Sequence, residues 1–321
     1  MLTEVLFEAN SRVTDLGAQA FKGCVRLTQI SFPASLTVIG ANAFESTKLA
    51  SVIFAENGNL TEIGASAFTT LPLAVLKFPA SLQTIGESAF YQNQSLTSVE
   101  FAADGADLTI GDYAFQKCEK LESIAISKNV VGIGEGVFLD CKKLAEVTVD
   151  ENNQYFVTDD GVLFDKGYTR LLFYPAGKTG TFVLPEQMTS IGAGVFKENE
   201  SLTGIVIPEN VTFIGKEAFM NCENLETVEF LTGGTQEELI LEEGVFYWCH
   251  ALTSVVNFPD RVKKIPDRFM QGRNKVTEFV IPDSVESIGM MAFWATPFET
   301  VTIPASVTFI GLGAFGSNPL E

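Results

Sequence analysis

Histidine is almost missing from this chain: His250 is the only one in 321 residues. Hydrolysis by a Ser-His-Asp or Cys-His device needs an imidazole held by a third group, so that chemistry has a single residue to draw on. Cations are scarce too. Lys and Arg total 21 against 40 Asp and Glu, a net charge of −19. That balance disfavours nucleic acid and anionic membrane surfaces as partners, since both require positive charge. The acidity reads as solubility for a large surface, or as an acidic face for a basic partner or loosely bound calcium. There is no CxxC pair, and GxxxxGK[ST] is absent. No apolar run reaches the length of a membrane-spanning helix. No signal peptide is visible, because Met1 leads straight into the strand residues Leu2, Val5 and Phe7. No cofactor and no metal site are expected.

What the chain has in quantity is phenylalanine, 27 residues, set at a fixed period. In the segment IGxxAF the marker Phe recurs at 21, 44, 68, 90, 115, 138, 196, 219, 246, 269, 293 and 315. The spacings are 22–27 residues, with one jump of 58 between Phe138 and Phe196. Self-similarity at this period marks a solenoid. About six residues after each marker comes apolar-x-x-apolar-x-apolar, as in Leu27, Ile30, Phe32 and Leu96, Val99, Phe101. Its last two apolar residues alternate with polar ones, the period of a strand. Proline at 33, 79, 208, 282 and 304 ends the strand, having no N–H for a ladder. Each unit is thus one coil: a short strand, a turn, a second apolar pair such as Leu36 and Ile39, and a tight segment carrying Ala-Phe. One coil cannot bury its own apolar side, whereas stacked coils can. The twelve rings are expected to form an internal column. The Gly of Ile-Gly suits positive φ or close backbone approach.

The pattern LxxVxIPxSVxxIGxxAFxxCxx resembles the BspA-like, or treponemal-type, leucine-rich repeat family of bacterial surface proteins, over essentially the whole chain. The resemblance implies an α/β-type leucine-rich repeat: a curved, right-handed solenoid with a parallel sheet on its concave side. It would have 12–13 coils of 22–25 residues. It also implies a cell-surface or secreted location and a role in adhesion to host proteins or other microbes. One repeat domain is expected over 1–321, with regular coils to 149, an expanded coil at 150–180 and looser coils from 181. Neither end carries the polar covering unit that solenoid ends normally need. Leu320 sits where a further coil would begin, so the chain is expected to be a slice of a longer protein.

The expanded coil reads as a hairpin, with Val162–Phe164 and Leu171–Phe173 flanking a turn at Lys166-Gly167. It continues the stack, or forms a ridge offering Tyr155, Tyr168 and Tyr174. Asp150, Glu151, Asp159 and Asp160 lack the DxDxDG-type spacing of a calcium loop. The five cysteines, 24, 118, 141, 222 and 249, each fall three residues after a marker. They occupy one repeat position, filled elsewhere by Thr47, Asn93, Asn199, Thr296 and Asn318, and read as buried free thiols.

A smooth, open stack of coils gives no closed cleft, and the chain is expected to be non-enzymatic. The outward strand positions are the candidate protein-binding face: Ser51, Ser98, Glu100, Glu146, Thr148, Thr227, Glu229, Thr300 and Thr302 among others. They are mostly small, hydroxylated or acidic, and suit a protein partner over a broad area. Tyr247, Trp248 and Trp294 are a second candidate, as exposed aromatic anchors. The expected function is protein–protein interaction by a monomer. The alternatives are a spacer displaying another domain, or carbohydrate recognition by those aromatics.

Overall fold

The computed structural model describes residues 2–175, 177–234 and 237–317. The chain is a parallel-sheet β-solenoid that divides into two compact units, 1–166 and 167–321. Among the described residues there is no helix. The parallel sheet matches expectation, but the side where an α/β-type repeat would carry helix is built from turns. Asn318 and Leu320 lie outside the described residues.

In the first unit the LxxVxF block forms the expected strands. Gln29–Ser31 pairs with Ser51–Ile53, Val75–Lys77 with Ser98–Glu100, and Ser123–Ile126 with Glu146–Val149, all in parallel. Ile30 pairs with Val52 and points inward, while Gln29, Ser31, Ser51 and Ile53 point out. A second ladder, unforeseen from sequence, runs through the apolar-Gly segment. Asp15–Leu16, Val38–Ile39, Glu62–Ile63, Thr84–Ile85, Leu108–Ile110 and Val130–Ile133 make one six-stranded parallel sheet. The Ala-Phe segment makes a third row of inter-coil bonds. Asn42 N donates to Ala65 O and Phe44 N to Ala67 O, both at 2.9 Å. Residues two before and two after the marker take the left-handed conformation: Asn42 and Ser46 have φ of 56° and 61°. The alternation turns every second N–H along the stack, so each coil is bonded to the next on three sides.

The glycine of Ile-Gly serves close approach, not positive φ. A Cβ on Gly86 would lie 2.6 Å from Ala65 N and 2.8 Å from the carbonyl carbon of Gly64, both rigid backbone of the preceding coil. A Gly86→Ala substitution therefore forces two coils apart, and we expect it to cost about 3 kcal/mol of unfolding free energy. Gly17, at the same repeat position in the first coil, has nothing within 4 Å of such a Cβ. Gly17→Ala should stay within about 0.5 kcal/mol of the parent. Urea unfolding of the two variants checks the contrast, and equal costs would refute it.

The core of this unit is two interlocked stacks of rings. Marker rings Phe44, Phe68, Phe90 and Phe115 lie 5.0–5.4 Å apart and within 8° of parallel. Strand-end rings Phe32, Phe54, Phe78 and Phe101 form the second stack, at 5.5–5.9 Å. The stacks meet edge to face, as with Phe54 and Phe68 at 87°, the arrangement ring quadrupoles favour. The unit ends in a hairpin of Phe156–Asp159 and Val162–Asp165 around Asp160-Gly161. That turn has φ of 47° and 77°, as a two-residue hairpin loop requires. The strand at 162 was legible, and Arg170–Phe173 is a strand of the second unit. The strand at 156 and its Asp-Gly turn were missed.

The second unit repeats the plan. Gly180–Val183, Leu202–Ile207, Thr227–Phe230 and Ser254–Val256 form one parallel sheet. Ser190–Ile191, Phe213–Ile214 and Ile240–Leu241 pair in one ladder, and Lys264–Ile265, Ser287–Ile288 and Phe309–Ile310 in another. The corresponding outer residues at 276–281 and 298–303 lie outside regular strands. Asn257, whose φ is 54°, is the added residue that breaks the register. One marker needs correction. Arg268 N bonds to Met290 O and Met270 N to Ala292 O, the pattern of Asn42 and Phe44. Met270, not Phe269, therefore holds the marker place, and Phe269 sits where other coils carry Ala. Both are fully buried. The column pays for this in geometry: Phe246 and Phe269 meet at 72°, Phe269 and Phe293 at 86°, whereas Phe196 and Phe219 stack at 6°.

Candidate functional site

Strand register sets the outward side chains in rows along each sheet. In the first unit Val75 stands beside Ser98 and Lys77 beside Glu100, while Ser123 faces Glu146 and Ala125 faces Thr148. Ser51, Glu100, Glu146 and Thr148 are exposed and Ser98 is half-buried. Lys77 and Glu100 form an ion pair at 2.7 Å, of little energetic weight at such exposure. In the second unit Thr227 and Glu229 are exposed on a regular strand. Thr300 and Thr302 are exposed but lie outside one. The structure thus brings the candidates together in pairs by strand: Ser98 with Glu100, Glu146 with Thr148, and Thr227 with Glu229.

The apolar residues Ile53, Val75, Val206 and Val280 follow from strand alternation as outward, but sequence reasoning missed two members of this face. Val183 and Val256 stand 61% and 43% exposed, in line with Val206 and Glu229. The signal was present as an outward valine in Thr-Phe-Val and Ser-Val-Val, once those segments are aligned to the strand block.

The aromatic candidates divide. Trp248 is exposed, lies 5.0 Å from the Tyr247 ring and stacks at 25° on His250. Its atoms pass close to Gly272 of the next coil. Trp294 is half-buried, and its indole spreads over Gly313 and Gly316, where a side chain would collide with it. Tyr174 is buried against Phe182 and Phe196 and offers nothing outward, whereas Tyr155 is exposed and Tyr168 half-buried.

The cysteine position has a polar task. Cys118, Cys141, Cys222 and Cys249 each donate S–H to the marker carbonyl one coil back, at 2.9–3.4 Å. Asn93 makes the same bond to Phe68 O at 2.8 Å. All five thiols are free; four are buried and Cys24 is half-buried. Burial raises Cys249 to about 12 and lifts Cys222 well above the usual thiol range. Cys141 is raised first by its hydrogen bond with Cys118 and then by burial. Four thiols are closed off from reagent by burial, so in native protein at pH 8 a thiol reagent should modify Cys24 alone, and in denaturant all five. Mass spectrometry of the labelled protein checks this; rapid native labelling of two or more would contradict it.

No group of three or more His, Cys, Asp or Glu able to hold a metal occurs among the described residues. Asp150 caps its own turn, accepting from Asn152 N at 2.8 Å. A shallow depression lies beside the enlarged coil, lined by Glu209, Leu231, Pro259 and Arg261 among others. There Arg261 donates to the carbonyls of Glu237, Glu209 and Val211 at 2.7–3.0 Å. It occupies the place where Ser35, Ser81 and Ser284 each bond one coil back. The longer side chain crosses the enlarged coil, so its charge is committed to holding backbone. No helix among the described residues is long and apolar enough to cross a membrane.

The comparisons agree with this construction. The model of the BspA type leucine-rich repeat region matches residues 2–107, 61–159, 170–237 and 239–321. A leucine-rich repeat protein from Eubacterium ventriosum is similar at 26% identity and a TM-score of 0.67, over 96% of this chain and 81% of its own. The pneumococcal vaccine antigen PcpA is similar at 26% identity and a TM-score of 0.67, over 93% and 79%. A leucine-rich cell surface protein from Faecalibacterium prausnitzii, at 22% identity and a TM-score of 0.63 over 99% and 87%, shares the fold. A search of curated proteins returns no match. With its repeat, its stacked marker rings and a family model that spans nearly every coil, the chain belongs to the BspA-type leucine-rich repeat family.

Proposed function

We propose that this chain is a non-enzymatic protein-interaction module of a bacterial cell-surface or secreted protein, used for adhesive contact with host or microbial proteins. The observation that carries the reading is the pair of strand faces. Where the strands pair, backbone groups are spent within the ladders, and the outward side chains stand in rows. Such a face loses little order on docking, which favours association over a broad area. The similarity to a pneumococcal vaccine antigen supports a surface location. A repeat of this family is generally a scaffold without catalysis, and the one histidine is exposed and stacks on Trp248.

The test is a pull-down of host extracellular and bacterial surface proteins at low and at physiological salt. A partner retained at physiological salt, and lost when face residues such as Ser98, Glu100 and Thr148 in one variant and Thr227 in another are changed to Arg, supports the module. A complete absence of salt-resistant partners overturns it in favour of a spacer.

A further inference from the structure

The two strand faces differ in chemistry, and the second unit's face is the more selective. Its central row is Val183, Val206, Glu229 and Val256, aligned by direct strand register. One coil on, Val280 stands 82% exposed. At a strand spacing of about 4.8 Å the four residues in register extend roughly 14 Å. The equivalent positions of the first unit are Ser31, Ile53, Lys77, Glu100, Ala125 and Thr148, with one large exposed aliphatic residue, Ile53, and a lysine already paired to a glutamate.

Charge sharpens the difference. The outward and flanking positions of the second unit's strand blocks, 179–183, 202–206, 225–229, 252–256, 276–280 and 298–302, contain no Lys or Arg. They hold Glu226, Glu229, Glu278 and Glu299. A second acidic line runs along the corner just past the strands. Of the five strand-ending prolines there, four are followed by a carboxylate, Glu186, Glu209, Asp260 and Asp283, with Ala305 the exception. In the first unit the same place holds Ala34 and Ala80. The aliphatic row therefore lies beside two lines of carboxylates, with Arg261 the cation set into the corner line.

We infer that the second unit's strand face docks a protein segment that presents aliphatic side chains bordered by Lys or Arg. This rests on the protein-interaction reading and names the partner's chemistry. A small polycation would satisfy the carboxylates and leave the valines wet. A neutral apolar segment would bury the valines and strip water from the carboxylates without replacing it. Nucleic acid and anionic membrane carry the wrong sign. Only a segment with both features meets both rows, and its charge also speeds encounter.

The probe is a synthetic 20-residue leucine/lysine peptide, with a leucine/glutamate counterpart, titrated against the full chain by fluorescence anisotropy at several salt concentrations. The lysine peptide should bind at physiological salt, and the glutamate peptide at least tenfold more weakly. Val183→Ser with Val256→Ser should weaken the lysine peptide at least tenfold. Glu229→Lys with Glu278→Lys should weaken it similarly and flatten its salt dependence. The first-unit controls Val25→Ser and Glu56→Lys, exposed residues in turns outside the strand faces, should leave it within twofold. Circular dichroism verifies that each surface variant is folded. Failure of the lysine peptide to bind, equal binding of both peptides, insensitivity to the valine pair, or equal loss from the first-unit variants overturns the assignment. A pull-down partner that ignores the second-unit variants but is lost with Ser98→Arg would sink this inference and leave the protein-interaction reading standing.

Discussion

Phe90→Ala is expected to remove about 3–5 kcal/mol from the first unit's unfolding free energy. The ring is fully buried and lies 5.4 Å from Phe68 on one side and from Phe115 on the other. Phe78 of the strand-end stack leans on it at 5.5 Å. Truncation takes away the transfer energy of the ring and leaves a hole whose walls are other rings, fixed by hydrogen bonds such as Phe68 N to Ala89 O at 2.8 Å. The walls cannot collapse without breaking that row, which places the cost at the upper end. In a stack where each coil touches only its neighbours, the loss is also an interface loss. Denaturant unfolding should broaden or split into two phases, and amide exchange at Phe68 and Phe90 should accelerate while Phe44 keeps its protection. Phe90→Leu, which keeps most of the volume, should cost less than half as much. An alanine variant within about 1 kcal/mol of the parent would show that the column does not carry the stack.

The second large effect is expected at Asn153, a fully buried side chain with every hydrogen-bonding atom engaged. Its Nδ2 donates to Ser127 O at 2.9 Å and Val130 O at 3.0 Å. Its Oδ1 accepts from the backbone N–H of Tyr155 and of Phe156, both at 2.8 Å. Replacement by alanine takes the partner from the N–H groups of Tyr155 and Phe156 and from Val130 O, while Ser127 O keeps the Val130 N–H; each unsatisfied buried group costs about 1–3 kcal/mol. Relaxation and water entry recover part of that, leaving an expected loss of about 3–4 kcal/mol. The adjacent Asn152 is exposed and bonds locally to Asp150, so Asn152→Ala should lie within about 0.5 kcal/mol of the parent. Limited proteolysis gives an independent reading: the Asn153 variant should be cut between 150 and 166 well before global unfolding. If both asparagine variants behave alike, the buried amide is not the hairpin's anchor.

Much of this architecture was legible because the repeat states it many times. Inward residues such as Ile30, Val52 and Leu76 follow from alternation alone, and buried thiols at the cysteine position follow from comparing coils. What escaped reading did so for physical reasons. The apolar-Gly ladder uses strands of two residues, as at Val38–Ile39, too short to show alternation. The left-handed residues around each marker are of many types, among them Asn42, Ser66, Tyr113, Lys117, Trp248 and Met291, with glycine in a minority of places, so the usual punctuation was absent. Phe269 was taken as a marker because it is a phenylalanine. Counting five residues from Ile265, as from Ile39 to Phe44, leads to Met270. On the outward face Val75, Val206 and Val280 follow from alternation, whereas Val183 and Val256 escaped because the expanded coil and the added Asn257 blur their alignment to the repeat.

The three rows of inter-coil hydrogen bonds have a mechanical consequence. In each unit they run along the stacking direction, with strands lying across it. Tension applied between the two ends of a unit therefore pulls those bonds along their own length, one rung at a time, in place of shearing a whole ladder together. A unit under tension gives way by peeling single coils from an end. Each coil of about 23 residues then releases roughly 75 Å of extended chain. A protein built this way pays out slack in steps under a sustained pull, and the coils not yet reached keep their faces intact.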